Sequence, residues 1–196
     1  MNFGAPQPSR PTIVTAVIAS CAGCSLITIL VIAVATYAIW NSPEVLDGRA
    51  ESLRDQGQYA EAEAVMRDAE RKAPNNPMIL NNLAWVYYLD GKYALGEPFA
   101  RRAVALDSNP SYLDTLAQID LGLQHLDAAE QEFKTVLRVR PNLAESLDGL
   151  GQVYEQRKKY DQALDQYRKA LNANPNIQGT KARIDRIENR KRPDKP

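Results

Sequence analysis

Residues 144–175 read AESLDGLGQVYEQRKKYDQALDQYRKALNANP, and the spacing of apolar and small side chains in this stretch decides the fold. Leu147, Leu150, Gly151 and Tyr154 fall at i, i+3, i+4 and i+7, the spacing that lines up one face of an α-helix. After a short polar break, Tyr160, Ala163, Tyr167 and Ala170 fall at i, i+3, i+7 and i+10, again one helix face, and Pro175 ends the second run because proline cannot continue a helix. The stretch reads as two amphipathic helices joined by a tight turn. Such a hairpin cannot bury its apolar face alone, so neighbours of the same kind are expected.

They are present. Leu46, Leu80, Leu113 and Leu147 form one column, at steps of 34, 33 and 34 residues. Ala62, Gly96, Ala129 and Ala163 form a second column, and Ala69, Ala103, Val136 and Ala170 a third. Pro74, Ser108, Pro141 and Pro175 close the units, which run over 43–76, 77–109, 110–143 and 144–177. The short step comes from one residue missing in the turn after Ser108. In the second unit Leu80, Leu83, Ala84 and Tyr87 line the first helix, Gly91 punctuates, and Tyr93, Phe99, Ala100 and Ala103 belong to the second. No stretch alternates with strand period, so the domain is expected to be all-α.

These residues resemble the tetratricopeptide repeat (TPR) family. Its signature places Leu-Gly or Leu-Ala and a Tyr on helix A, then Ala, an aromatic, Ala and Pro on and after helix B. Leu83-Ala84, Leu116-Ala117 and Leu150-Gly151 supply the first pair, with Tyr87 and Tyr154 as the aromatic. Ala129 with Phe133, and Ala163 with Tyr167, supply the next. The resemblance covers about residues 43–177 and implies a right-handed superhelix of about four helix-turn-helix units with a concave face lined by the A helices. Departures are Arg49 and Leu53 in the first unit, Asp120 in place of the Tyr of the third, and Gly96 and Pro98 in the second. Pro98 removes a backbone donor and predicts a kink or a frayed start to that helix. Residues 178–196 are read as a polar capping helix, with Ile184 and Ile187 amid charges, followed by a charged tail.

The N-terminus is of another kind. Between Arg10 and Glu44 there is no Asp, Glu, Lys, Arg or His, and residues 12–40 are almost wholly apolar or small. A spanning helix needs about 20 apolar residues, so after a tail of residues 1–11 this run predicts a single-pass transmembrane helix contacting the lipid bilayer. Tyr37 and Trp40 lie at its far end, where aromatic rings prefer the headgroup level. The run exceeds the ~7–15 apolar residues of a cleaved signal peptide. Cys21-Ala22-Gly23-Cys24 only weakly resembles a lipoprotein cleavage box, and the apolar run continues past it to Trp40. Arg10 precedes the helix, while Glu44 and Asp47 follow it ahead of Arg49. The positive-inside rule therefore favours repeats on the extracytoplasmic side, the periplasmic face of a bacterial inner membrane. Thr15, Ala19 and Gly23 recur every four residues, a spacing that lets membrane helices associate closely.

Chemistry is scarce. Twenty-four basic side chains balance twenty-four acidic ones, so no global field argues for nucleic acid. Both cysteines lie in the apolar run, and the sole histidine, His125, falls in a hairpin turn. No phosphate loop, nucleophile elbow, metal-ligand spacing or cofactor motif occurs. A non-catalytic scaffold that binds a protein or peptide is expected, with an accessory subunit of a larger membrane complex as the alternative. The family's groove positions map onto Met78, Asn81, Asn82, Trp85 and Tyr88 in the second unit, Asp114 and Gln118 in the third, and Asp148 and Gln152 in the fourth. Further acids (Glu44, Asp47, Glu51, Asp55; Glu145, Glu155) make both ends read as acidic around an aromatic centre, which predicts a neutral or basic partner. The carboxylate clamp of chaperone-binding family members needs cations where Asp47 and Glu51 stand, so that ligand class is disfavoured.

Overall fold

The computed structural model describes residues 26–191. Residues 12–25 of the apolar run, including Thr15, Ala19, Cys21, Gly23 and Cys24, lie outside the described residues, as does the tail from 192. Among the described residues there are ten helices and no strand. They are α1 (Leu26–Trp40), α2 (Pro43–Asp55), α3 (Tyr59–Lys72), α4 (Pro77–Leu89) and α5 (Tyr93–Leu106), then α6 (Pro110–Gly122), α7 (Leu126–Val139), α8 (Ala144–Gln156), α9 (Tyr160–Ala173) and α10 (Thr180–Lys191). Helices α2 to α9 form four antiparallel hairpins, α2/α3 to α8/α9, each packed on the next. Every A helix (α2, α4, α6, α8) also touches the A helix of its neighbour, so these four build one continuous wall.

Local chemistry explains the boundaries. Ser42, Asn76 and Asn109 accept backbone N–H bonds at the starts of α2, α4 and α6, each followed by a proline at the first helical position. There its missing donor costs nothing. The A helices end in left-handed residues at one column: Gly57, Gly91, Gln124 and Lys158. The next residue's N–H closes back on the helix, as in Gln58 to the Leu53 carbonyl at 2.9 Å and Lys159 to that of Tyr154 at 2.8 Å.

The cores lie where A and B helices cross. Ala62, Ala129 and Ala163 are fully buried there. Gly96, also buried, would bring a Cβ to 3.0 Å from Tyr87 Cβ and 3.1 Å from the Ala84 carbonyl, so alanine there would require the second crossing to open by a few tenths of an ångström. Larger rings fill the gaps: Tyr87, Phe133 and Tyr167 are wholly enclosed. The frayed start expected from Pro98 does not occur. Helix α5 begins at Tyr93 and runs unbroken to Leu106. Pro98 and Ala94 are both exposed, so the carbonyl left without its donor lies beside water.

Two elements flank the hairpins. Helix α10 packs on α9, and its Ile187 is buried with Tyr154, Leu164 and Tyr167. Helix α1 is apolar all round, with Val31, Tyr37 and Ile39 each 60% exposed or more. It meets α2 at a bend of 53°. Lys72 Nζ donates to the Asn41 carbonyl at 2.9 Å, tying the joint to the first unit. Among the described residues no helix is by itself long and apolar enough to cross a membrane.

Candidate binding groove

The A-helix wall carries a depression of about 400 Å³ that brings together Trp85, Tyr88, Asp114, Gln118, Asp148 and Gln152 from three successive units. Trp85 and Tyr88, one helical turn apart on α4, stack with centroids 4.7 Å apart and planes 19° from parallel. Both are half-buried and both line the depression. Tyr88 Oη is 3.5 Å from Gln118 Oε1, and Gln118 Nε2 donates to the Glu145 carbonyl at 3.4 Å. Asp114 accepts a short hydrogen bond from the Ser146 hydroxyl. Burial pushes its carboxyl up to about 6.

The other three expected groove residues sit elsewhere. Asn82 lies in a smaller hollow of about 110 Å³ with Asp47, Glu51 and Arg54, its amide donating to Asp47 Oδ1 at 2.8 Å. Burial raises Asp47 against that hydrogen bond. Asn81 donates to Asn82 Oδ1 at 3.3 Å, while its own Oδ1 is buried without a partner. Met78 is exposed in the first turn of α4 and lines neither hollow.

The far end of the groove differs from the acidic surface that the A helices alone suggested. Asp148 accepts from Thr180 Oγ1 at 2.6 Å, from Gln152 at 2.8 Å and from Arg183 at 3.1 and 3.2 Å. Glu155 accepts from Tyr167 Oη at 2.8 Å and from Arg186 at 2.8 Å. The capping helix thus neutralises Asp148 and Glu155, while Glu145 stays exposed on the rim of the depression. With Arg183 it also brings Asn174, Asn176, Ile177 and Gln178 of the preceding loop to the rim. The sequence contained a signal for this: Arg183, Arg186 and Arg190 fall at i, i+3 and i+7, hence on one helix face. Which wall they face depends on how Ile187 seats the helix.

A second polar cluster lies between α5, α6 and α7. Asp120, in the column occupied by Tyr87 and Tyr154, is wholly buried. It pairs with Arg101 at 3.2 Å and with His125 Nδ1 at 2.8 Å. Glu97, Asp120 and His125 bring possible ligand atoms within 4.8 Å of one another, but Arg101 already bridges the two carboxylates, at 2.9 Å from Glu97. The cluster is thereby accounted for as a charge network replacing a tyrosine.

Residues 48–111 and 111–176 each match a model described as tetratricopeptide repeat, together well over half of the chain. The chain belongs to the tetratricopeptide repeat family. Anaphase-promoting complex subunit CDC16 of Saccharomyces cerevisiae is 29% identical over 111 residues, a match covering 53% of this chain and 13% of that protein. Among solved structures, the Pseudomonas aeruginosa pilF protein superposes with a TM-score of 0.66 at 20% identity, covering 76% of this chain and 68% of that one. YrrB, described as a TPR protein with an unusual peptide-binding site, gives 0.63 at 20% identity, covering 74% and 75%. At such identities the likeness is one of fold. Tetratricopeptide repeat proteins generally act as protein-interaction scaffolds, and the hairpins here are of that kind.

Proposed function

We propose that this chain is a membrane-anchored, non-catalytic adaptor whose repeats capture a segment of a protein partner on the A-helix wall. The observation that carries the reading is the stacked Trp85–Tyr88 pair at the edge of a polar depression of about 400 Å³. Flat aromatic side chains lose little entropy on binding, and aromatic anchors ringed by polar groups are what protein-binding sites use. The anchor is read from the uncharged apolar run over 12–40 together with the all-round apolar exposure of α1. A helix apolar on every face has no water-facing side, which suits lipid. Charge placement around it favours the repeats on the extracytoplasmic side, periplasmic in a bacterial inner membrane.

The test is a crosslinking pull-down from native membranes, comparing the wild-type chain with the Trp85→Ala/Tyr88→Ala variant. Loss of at least about tenfold in captured partner is expected, since aromatic anchors contribute roughly 2 kcal/mol or more. Unchanged capture refutes the groove. Deletion of residues 1–41 separates the alternative: an adaptor keeps its partner, whereas a subunit held through its apolar helix loses it.

A further inference from the structure

We propose that the capping helix gives the groove an anion-receiving end, so that the protein segment anchored at Trp85 and Tyr88 carries Asp or Glu side chains where it passes α8 and α10. The inference rests on the groove reading above and adds to it the charge of the partner.

Beside the aromatic depression lies a second, of about 340 Å³, where Lys158, Arg183, Arg186 and Arg190 face a single carboxylate, Glu155. The two depressions share Gln152 and Arg183, so a segment can run from one into the other. Two of the four cations are engaged, Arg183 with Asp148 and Arg186 with Glu155. Among the described residues no carboxylate pairs with Lys158 or Arg190, and both are exposed. Lys158 also holds a left-handed backbone (φ 60°) at the column where the first two units have Gly57 and Gly91. That conformation is strained for a residue with a side chain, and here the side chain it carries lines the depression. The opposite end of the wall has the reverse sign: Asp47 and Glu51 stand there against Arg54 alone. A gradient of this kind orients an extended segment and sets its partner's charge pattern more than its raw affinity.

The experiment uses the full chain in uncharged detergent and measures fluorescence anisotropy. Three labelled peptides each carry a Trp-Phe pair and a Gly-Ser spacer, ending in a run of glutamates, glutamines or lysines. The glutamate peptide is expected to bind about tenfold more tightly than the lysine peptide, with an advantage that shrinks as salt rises. Lys158→Glu with Arg190→Glu should reverse the preference, and Lys158→Gln with Arg190→Gln should abolish it, both at unchanged melting temperature. A glutamate peptide bound no better than the lysine peptide overturns the proposal, as does a preference that neither double variant alters. Charge-dependent binding to phosphatidylserine vesicles without any peptide preference also overturns it, in favour of a membrane contact. If native capture still depends on Trp85 and Tyr88 while glutamates are not preferred, the groove stands and its anion-receiving end falls. If the glutamate preference holds while native capture ignores both aromatics, the cationic end stands and the groove reading falls.

Discussion

Gly48 and Gly149 occupy the same column of the first and fourth units and meet opposite surroundings. A Cβ built on Gly48 finds nothing within 4 Å, whereas one on Gly149 falls well inside contact of Phe133 Cζ and within 2.7 Å of its Cε1. The intervening members of the column are Asn82 and Thr115. What differs is the preceding hairpin: α8 has α7 packed behind it, while no hairpin precedes α2 among the described residues. Burial of a repeat position is therefore set by the neighbour as much as by the unit's own sequence.

Gly149→Ala should cost the most. Phe133 is wholly enclosed, so its ring cannot move without opening a gap elsewhere. Overpacking by one methyl costs about 1–3 kcal/mol, against which alanine returns up to about 1 kcal/mol in helix propensity. Three atoms of the enclosed Phe133 ring stand inside contact distance, so the upper end of that cost applies and a net loss of about 2 kcal/mol is expected from denaturant unfolding of the full chain in detergent. A neutral result would mean that α7 and α8 pack more loosely than described.

Much of the fold was readable from the chain because a repeat announces itself through columns that need no knowledge of contacts. Trp85 and Tyr88 were readable too, since a spacing of three on a helix already puts two rings on one face. Two features were not. Asp120 stood out as a replaced tyrosine, but nothing local says that Arg101, nineteen positions earlier, folds back to meet it. The arginines of α10 likewise acquire their role only when Ile187 enters the core beside Tyr167.

The same contrast between lone and packed positions governs charge. Glu132, on α7, has one carboxylate oxygen buried without a partner, and burial with the nearby Asp120 pushes it up to about 7 from 4.5. Arg101 opposes that rise and Glu97 adds to it. Between these values the folded chain holds a proton that the unfolded chain releases, so stability falls as pH rises through the window and the loss is complete above it. Glu132→Gln should raise stability at pH 8 by about 1–2 kcal/mol, allowing for partial solvent access. It should also flatten the fall between pH 5 and 7. Asp114, raised to about 6, contributes a residual slope of the same sign. Melting curves of both proteins across that range provide the check; parallel curves would remove Glu132 from the account.

At the open end of the stack the sign should reverse. Gly48 lies exposed within α2, so Gly48→Ala meets no wall and gains only helix propensity, about 0.5–1 kcal/mol of stabilisation. If Gly48→Ala instead destabilises, something outside the described residues packs against the first unit.

The smallest effect expected lies in the turns, where the units differ by backbone alone. Gly57 and Gly91 take left-handed φ values of 74° and 71° freely, whereas Gln124 holds 65° with a side chain attached. Gln124 is exposed, and its one side-chain bond is a long one, Nε2 to the Leu121 carbonyl at 3.5 Å. Gln124→Gly should therefore relieve strain without losing packing. The glycine's greater freedom in the unfolded chain offsets part of that relief, leaving a net gain of about 0.5 kcal/mol. Lys158 holds the same strain, but its exchange would also remove a cation from the groove. Gln124 therefore isolates the backbone contribution, measured as a melting shift of the full chain.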